Sequence, residues 1–240
     1  MMMNCEPLGN GITAVLSDVH RFGTDAFVLA YFSNPKQKDI ACDLGSGCGI
    51  IPLLWIRESR CLRVTALEIQ PDACELMRKA AELNGLHKRL EVVNGDLRDI
   101  SVLPPASCDL VTMNPPYKAP LAGIQSADDA SLIARHEVTC RFSDVAEAAK
   151  RLLRFGGRFC VCHRPERLAD VVCSMREHGL EPKRLRTVVH QKGREPMLIL
   201  AEGRKGGRPG MIIEPELVMT TDGTELTKEA LTIYGSYRNK

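Results

Sequence analysis

The sequence predicts an α/β fold: a mostly parallel sheet with helices on both faces, closed by an antiparallel hairpin near its C-terminal end. Three observations predict it. Short apolar and β-branched runs alternate with longer runs of helical pattern. Glycine and asparagine stand where helices should stop. Strands separated by helices form right-handed crossover units, which place consecutive strands in parallel.

The elements follow in order. Thr24-Asp25 opens a helical run to Phe32. Asp39 to Leu44 is a short buried strand ending at glycines, and Gly49 to Ser59 follows as a helix. Leu62 to Glu68 is the second strand. Pro71 takes the first position of a helix that runs to the Asn84-Gly85 stop, because proline there loses no hydrogen bond. Leu90 to Val93 and Cys108 to Met113 are the third and fourth strands. Ser143 is expected to cap a helix to Arg154, with Asp144 in its first turn. Phe155-Gly156-Gly157 then breaks the chain before a fifth strand, Arg158 to Cys162. Pro165 to His178 is a helix stopped by Gly179. Leu185 to His190 and Met197 to Ala201 form the hairpin around Lys192-Gly193-Arg194. Two segments stay irregular, 118–139 and 203–210. The first is longer than a compact domain normally needs, and it is expected to be mobile until substrate binds.

Composition narrows the function classes. The 240 residues are 44% hydrophobic, enough for one domain with a real core. No run of 18 apolar residues exists, and the first six residues lack a basic stretch followed by an apolar one. Neither a membrane span nor a secretory signal is expected, and the expected location is cytoplasmic. Most of the ten cysteines lie in apolar runs, as Cys42, Cys108, Cys160 and Cys162 do. They are expected to be buried reduced thiols in a reducing compartment, with no metal site. Net charge is only +2, but residues 150–208 hold fifteen Lys and Arg against six Asp and Glu. That asymmetry suits a polyanionic partner.

The first chemical motif is Asp43-Leu44-Gly45-Ser46-Gly47-Cys48-Gly49, between strand and helix. Glycines let backbone turn sharply and approach a ligand. No Lys follows, as a phosphate-binding P-loop requires, and Ile50 occupies the last glycine position of a dinucleotide fingerprint. The pattern resembles that of class I methyltransferases, which implies a turn facing the methionine part of S-adenosylmethionine. Glu68, 25 residues on, ends the second strand, where a carboxylate can accept both ribose hydroxyls. Asp96, after the third strand, can accept from the cofactor's adenine amino group, with Leu97 against the ring. Each of these stands at the C-terminal end of a strand, where such sheets bind ligands.

Asn114-Pro115-Pro116-Tyr117 follows the fourth strand directly. The prolines fix the backbone, so the Asn114 side chain and the Pro115 carbonyl point in set directions. Both are acceptors, and together they can hold the two hydrogens of a planar NH2 group while Tyr117 stacks on its ring. An aromatic amine is a poor nucleophile because its lone pair is delocalised. Hydrogen bonds to both protons favour the positive charge and tetrahedral shape that develop on nitrogen during methyl transfer. The six histidines are scattered and include no convincing base.

At these residues the chain resembles the bacterial valine-tRNA adenine-N6 methyltransferases, which modify the adenosine beside the anticodon. Arg21-Phe22-Gly23-Thr24-Asp25-Ala26 resembles the family's N-terminal motif, which closes over the cofactor. Ala134-Arg135-His136-Glu137 resembles the segment after the catalytic loop, and Asp222-Gly223, Glu229 and Tyr234 resemble the family tail. The resemblance implies a single Rossmann-like domain over 1–240 with a seven-stranded sheet, residues 1–36 lying over the cofactor. It implies a catalytic set of Asn114, Pro115, Pro116 and Tyr117. Cofactor contacts are expected from Thr24, Asp25, Asp43, Gly45, Ser46, Gly47, Gly49, Glu68, Ile69, Asp96, Leu97 and Asn114. RNA contacts are expected from Lys118, Arg135, Lys192, Arg194, Arg204, Lys205 and Arg208. The partner implied is tRNA, with no DNA, membrane or obligate protein partner. The tetrapeptide alone also suits a release-factor glutamine, guanine N2 in ribosomal RNA, or adenine and cytosine in DNA. A silent RNA-binding module is the alternative from another class, against which the intact Asn114 and glycine loop speak.

Overall fold

Side-chain alternation along the central strands explains why the sheet is covered twice. In β7 (Leu153–His163) Cys160 and Cys162 join one apolar cluster, while Phe159 and Val161 join the other. Successive strand residues point to opposite faces, so a strand apolar at every position needs a helical layer on each side. The computed structural model describes residues 3–115 and 140–237. Pro116, Tyr117, Lys118, Arg135, His136 and the rest of 118–139 lie outside the described residues, so the expectation of mobility there does too.

A hairpin of β1 (Met3–Gly9) and β2 (Ile12–Ser17) precedes α1 (Thr24–Ser33). Crossover units then run β3 (Ile40–Leu44), α2 (Ile50–Arg57), β4 (Arg63–Glu68), α3 (Pro71–Leu83), β5 (Leu90–Asn94) and β6 (Cys108–Met113). After them come α4 (Phe142–Leu152), β7, a 3-10 turn at Pro165–Arg167 and α5 (Leu168–Glu177). β8 (Leu180–Gln191) and β9 (Pro196–Lys205) form the hairpin, and β10 (Ile212–Ile213), β11 (Leu217–Thr220) and α6 (Lys228–Tyr234) follow. The sheet order is β10-β8-β9-β7-β6-β3-β4-β5, with β11 also paired to β8. Among these described strands only β9 runs antiparallel to its neighbours. One face carries α1, α2, α3 and α6 and the other α4 and α5.

Several sequence expectations need correction. Among the described residues the sheet has nine strands, not seven, because β10 and β11 add in parallel beside β8. They are two and four residues long, too short to show a period. Gly156-Gly157 does not end an element. It lies within β7, where the pairing with β6 slips between Cys108 and Leu110. The N-cap of α4 is Arg141, not Ser143, and Asp144 accepts from the Arg141 N–H at 2.8 Å. The expected helix at 165–178 begins as a 3-10 turn.

The first and last elements clasp each other. Arg57, its side chain 3% exposed, donates to the Leu8 carbonyl at 3.0 Å and the Tyr234 carbonyl at 3.1 Å. Asn84 pins the hairpin from α3, accepting from Thr13 N–H and donating to Thr13 O at 2.8 and 2.7 Å. Phe27, Tyr234 and Tyr237 pack their rings together, and Thr24 and Tyr234 share a hydroxyl hydrogen bond of 2.8 Å. The start of α1 is thereby fixed at the end of the sheet that carries the glycine loop and Asn114.

Candidate active site

The C-terminal ends of β3, β4, β5 and β6 bring the motif residues to one edge. Gly45, Gly47 and Gly49 all have positive φ, at +61°, +56° and +78°. Gly49 needs glycine twice over: its backbone is left-handed, and a Cβ there would lie 2.7 Å from Cγ of Met77 on α3. Glu68 reaches from β4 under this loop. Its Oε2 accepts from Gly47 N–H and its Oε1 from Gln70 N–H, both at 2.9 Å. Each carboxylate oxygen has a second lone pair for a further donor. Asp96 accepts from Arg98 Nε at 3.0 and 3.1 Å, and this guanidinium holds its carboxyl below the usual range. Leu97 is half-buried and packs against the second core cluster, and Ile69 is exposed beside Glu68.

Asp43 is 1% exposed beneath the loop. It accepts from Thr112 Oγ1 at 2.6 Å and Ser46 Oγ at 2.7 Å, so it shapes the turn from below. Burial pushes its carboxyl up to about 7; the two hydroxyl bonds pull the other way, and the Glu68 carboxylate adds to the rise. The unfolded carboxyl titrates near 3.8. Stability from the protonated form is therefore fully present below about pH 4 and lost as pH rises through about 7. We predict that the stability of the wild type relative to Asp43→Asn falls across that window. Urea midpoints of both proteins at pH 5 and pH 8 measure it, and a pH-independent difference would contradict it.

Asn114 follows β6 directly. Its Nδ2 donates to Asp25 Oδ2 at 2.7 Å. Its Oδ1 is buried and has no hydrogen-bond partner among the described residues. A buried acceptor left unpaired is costly, so a donor brought to this atom would be stabilised there.

Comparison with known proteins decides the class. Residues 21–170 match the model of the family described as Methyltransferase small domain. The chain belongs to this family. Among curated relatives, the tRNA1(Val) (adenine(37)-N6)-methyltransferase of Aeromonas hydrophila is 27% identical over 209 residues, covering 85% of this chain and 84% of the relative. The Porphyromonas gingivalis enzyme of the same name is 28% identical over 191 residues, covering 77% and 74%. Among solved structures, a "predicted O-methyltransferase" of Agrobacterium tumefaciens superposes with a TM-score of 0.68 at 21% identity, covering 89% of this chain and 96% of that one. A SAM-dependent methyltransferase of Aquifex aeolicus gives 0.52 at 16% identity, covering 75% and 89%.

The cofactor of this methyltransferase is S-adenosyl-L-methionine, and the edge suits it. A Cβ added at Gly47 meets nothing within 4 Å, so the crest of the loop is open. An acceptor at Glu68 and an exposed apolar side chain at Ile69 stand next to it. No cluster of three metal-ligating side chains exists among the described residues.

The structure separates what the sequence reading grouped as RNA-binding. Lys192 and Arg194 occupy the β8–β9 turn, at the same sheet edge as Asn114. Arg204, Lys205 and Arg208 lie at the opposite edge, where β9 ends and β7 begins. Arg204 Nε and Lys205 Nζ there donate to the Gly156 and Leu153 carbonyls at 3.0 and 2.6 Å. A polar cavity of about 530 Å³ opens at that far edge. Its charges answer one another, Arg158 and Arg184 pairing with Glu202 at 3.3 and 2.9 Å, and the motif residues are elsewhere.

Sequence reasoning missed Thr112 and Arg98. Thr112 was detectable as a polar residue near the C-terminal end of a mostly apolar strand, and parallel pairing sets it directly across from Asp43. Arg98 stands two residues past Asp96, but nothing in the spacing says that it turns back.

Proposed function

We propose that the protein methylates N6 of an adenine in tRNA, at the adenosine beside the anticodon of a valine tRNA. The Oδ1 of Asn114, buried and unpartnered among the described residues, carries this proposal. It suits an acceptor that brings its own N–H donor, and a planar amino group does. The names of the curated relatives supply the nucleotide and the RNA. Ten free cysteines fit a reducing, cytoplasmic compartment, and no helix among the described residues is long and apolar enough to cross a membrane. Residues 1–36 are proposed to lie over the cofactor as part of one methyltransferase domain.

Bound S-adenosylmethionine supplies a methyl group on a good leaving group. In this reading Asn114 Oδ1 accepts a hydrogen bond from one N–H of the target amine and the Pro115 carbonyl from the other. Pro116 and Tyr117 are proposed to fix the backbone and to stack on the base, and the proton lost from the methylated nitrogen passes to solvent. These acceptors hold the amine in line and stabilise the charge that grows on nitrogen. A paired or stacked base is extruded first. The test is methylation of an unmodified valine tRNA transcript followed by mass spectrometry of its nucleosides. N6-methyladenosine is expected at one position. N2-methylguanosine, or methylglutamine formed on a release factor instead, would replace the proposal.

Lys192 and Arg194 are proposed to contact RNA phosphates beside the catalytic edge. Removing one phosphate-binding cation lowers the log–log salt slope of binding by about 0.7–0.9. Neutralising both is predicted to flatten the slope by roughly 1.4 to 1.8, and neutralising Arg204, Lys205 and Arg208 together to change it little. Filter binding between 50 and 200 mM salt measures both, and the reverse order would move the RNA path to the far edge.

A further inference from the structure

We infer that Asp25 is a positioning residue that fixes which way the Asn114 amide faces, and that Gly23 is glycine to leave that carboxylate room. The inference rests on the proposed function, in which Oδ1 of Asn114 is the working atom.

A side-chain amide is nearly symmetric in shape, and only its partners distinguish the two ends. An ionised carboxylate can only accept, so the 2.7 Å contact with Asp25 Oδ2 requires the nitrogen end of Asn114 to face α1. The oxygen end is thereby turned away from Asp25, and it is this oxygen that is buried without a partner among the described residues. Donation to a full charge also polarises the amide and enriches the electron density at Oδ1. One carboxylate thus orients the acceptor and strengthens it.

Gly23 gives independent support. Its φ of −123° and ψ of −175° are open to any residue, so backbone freedom does not explain the glycine. Space does. A Cβ at Gly23 would lie 2.6 Å from Asp25 Oδ1. The carboxylate would have to shift, and its contact with Asn114 would shift with it. Asp25 itself sits in the first turn of α1, where the positive end of the helix favours a carboxylate. The preceding Thr24 is held by the Tyr234 hydroxyl at 2.8 Å.

Two measurements on the intact protein test this. The first follows the Asn114 side-chain NH2 signals by nitrogen-15 NMR, identified by their disappearance in Asn114→Ala. Asp25→Ala and Gly23→Ala should both move these signals and speed their hydrogen exchange. The second is single-turnover methyl transfer to a valine tRNA transcript at saturating cofactor, with urea midpoints as the control for folding. Both variants should keep a cooperative transition and slow the step about tenfold to a hundredfold, the effect expected for one charge-assisted hydrogen bond. In an Asn114→Ala background, Asp25→Ala should cost almost nothing more, because both act through one atom. An equal cost in both backgrounds, or Asn114 signals unmoved by Asp25→Ala, would overturn the inference. If the signals move as expected while Asn114→Ala alone keeps the wild-type rate, the orientation stands and the proposed function is what fails.

Discussion

Asn114→Ala should slow methyl transfer by about 10²–10³-fold at saturating tRNA and cofactor. The substitution deletes the buried acceptor at Oδ1 and leaves the Glu68 and Asp96 carboxylates in place. Cofactor affinity should therefore change little. The hydrogen bond to Oδ1 strengthens as positive charge grows on the target nitrogen, so the effect belongs to the chemical step rather than to binding. Single-turnover kinetics with saturating substrates isolates that step. Near wild-type turnover in Asn114→Ala would mean that the acceptor is not an amino group held here.

The second large effect is expected at Glu68. A hydrogen bond to a charged acceptor contributes roughly 1.5–3 kcal/mol, so Glu68→Ala, which removes the proposed acceptor of the ribose hydroxyls, should weaken cofactor binding at least tenfold. The structure adds a second effect. Glu68 accepts from Gly47 N–H and Gln70 N–H, so removing it also frees the crest of the glycine loop. Glu68→Gln should rescue little. An amide has one accepting end, and either orientation sets its NH2 against one of those two backbone donors. Calorimetry on both variants measures this, and an unchanged dissociation constant in Glu68→Ala would remove the residue from the cofactor site.

How far the sequence revealed this depends on the range of each interaction. β6 was legible to the residue because the Asn-Pro-Pro-Tyr motif in the sequence marks where it ends. The glycine loop, Glu68 and Asp96 were legible because each ends a strand and strand ends gather at one edge. The β1–β2 hairpin and α6 were not. Their positions depend on Arg57 and Asn84, whose partners are far away in sequence, and no period or spacing encodes such contacts. The basic segment was legible as charge but not as place. Its residues alternate between two edges because β9 runs back along the sheet, and composition cannot show a strand's direction. Asp25 was legible as part of a motif, yet its partner 89 residues away was not.

The clasp between the first and last elements also has a consequence in time. Thr24 and Tyr234 are separated by 210 residues, and Arg57 reaches Tyr234 across 177. Loop-closure entropy grows only logarithmically with such spans, so the finished clasp is little more costly than a shorter one. Its formation must nevertheless wait until residues 228–234 exist, whereas neighbouring crossover strands can pair as they appear. The beginning of α1, though made early, is expected to settle late, with folding φ-values near zero at Thr24 and Tyr234 and higher ones in β3, β4 and β6. On a nascent chain the sheet would then precede the lip of its own active site.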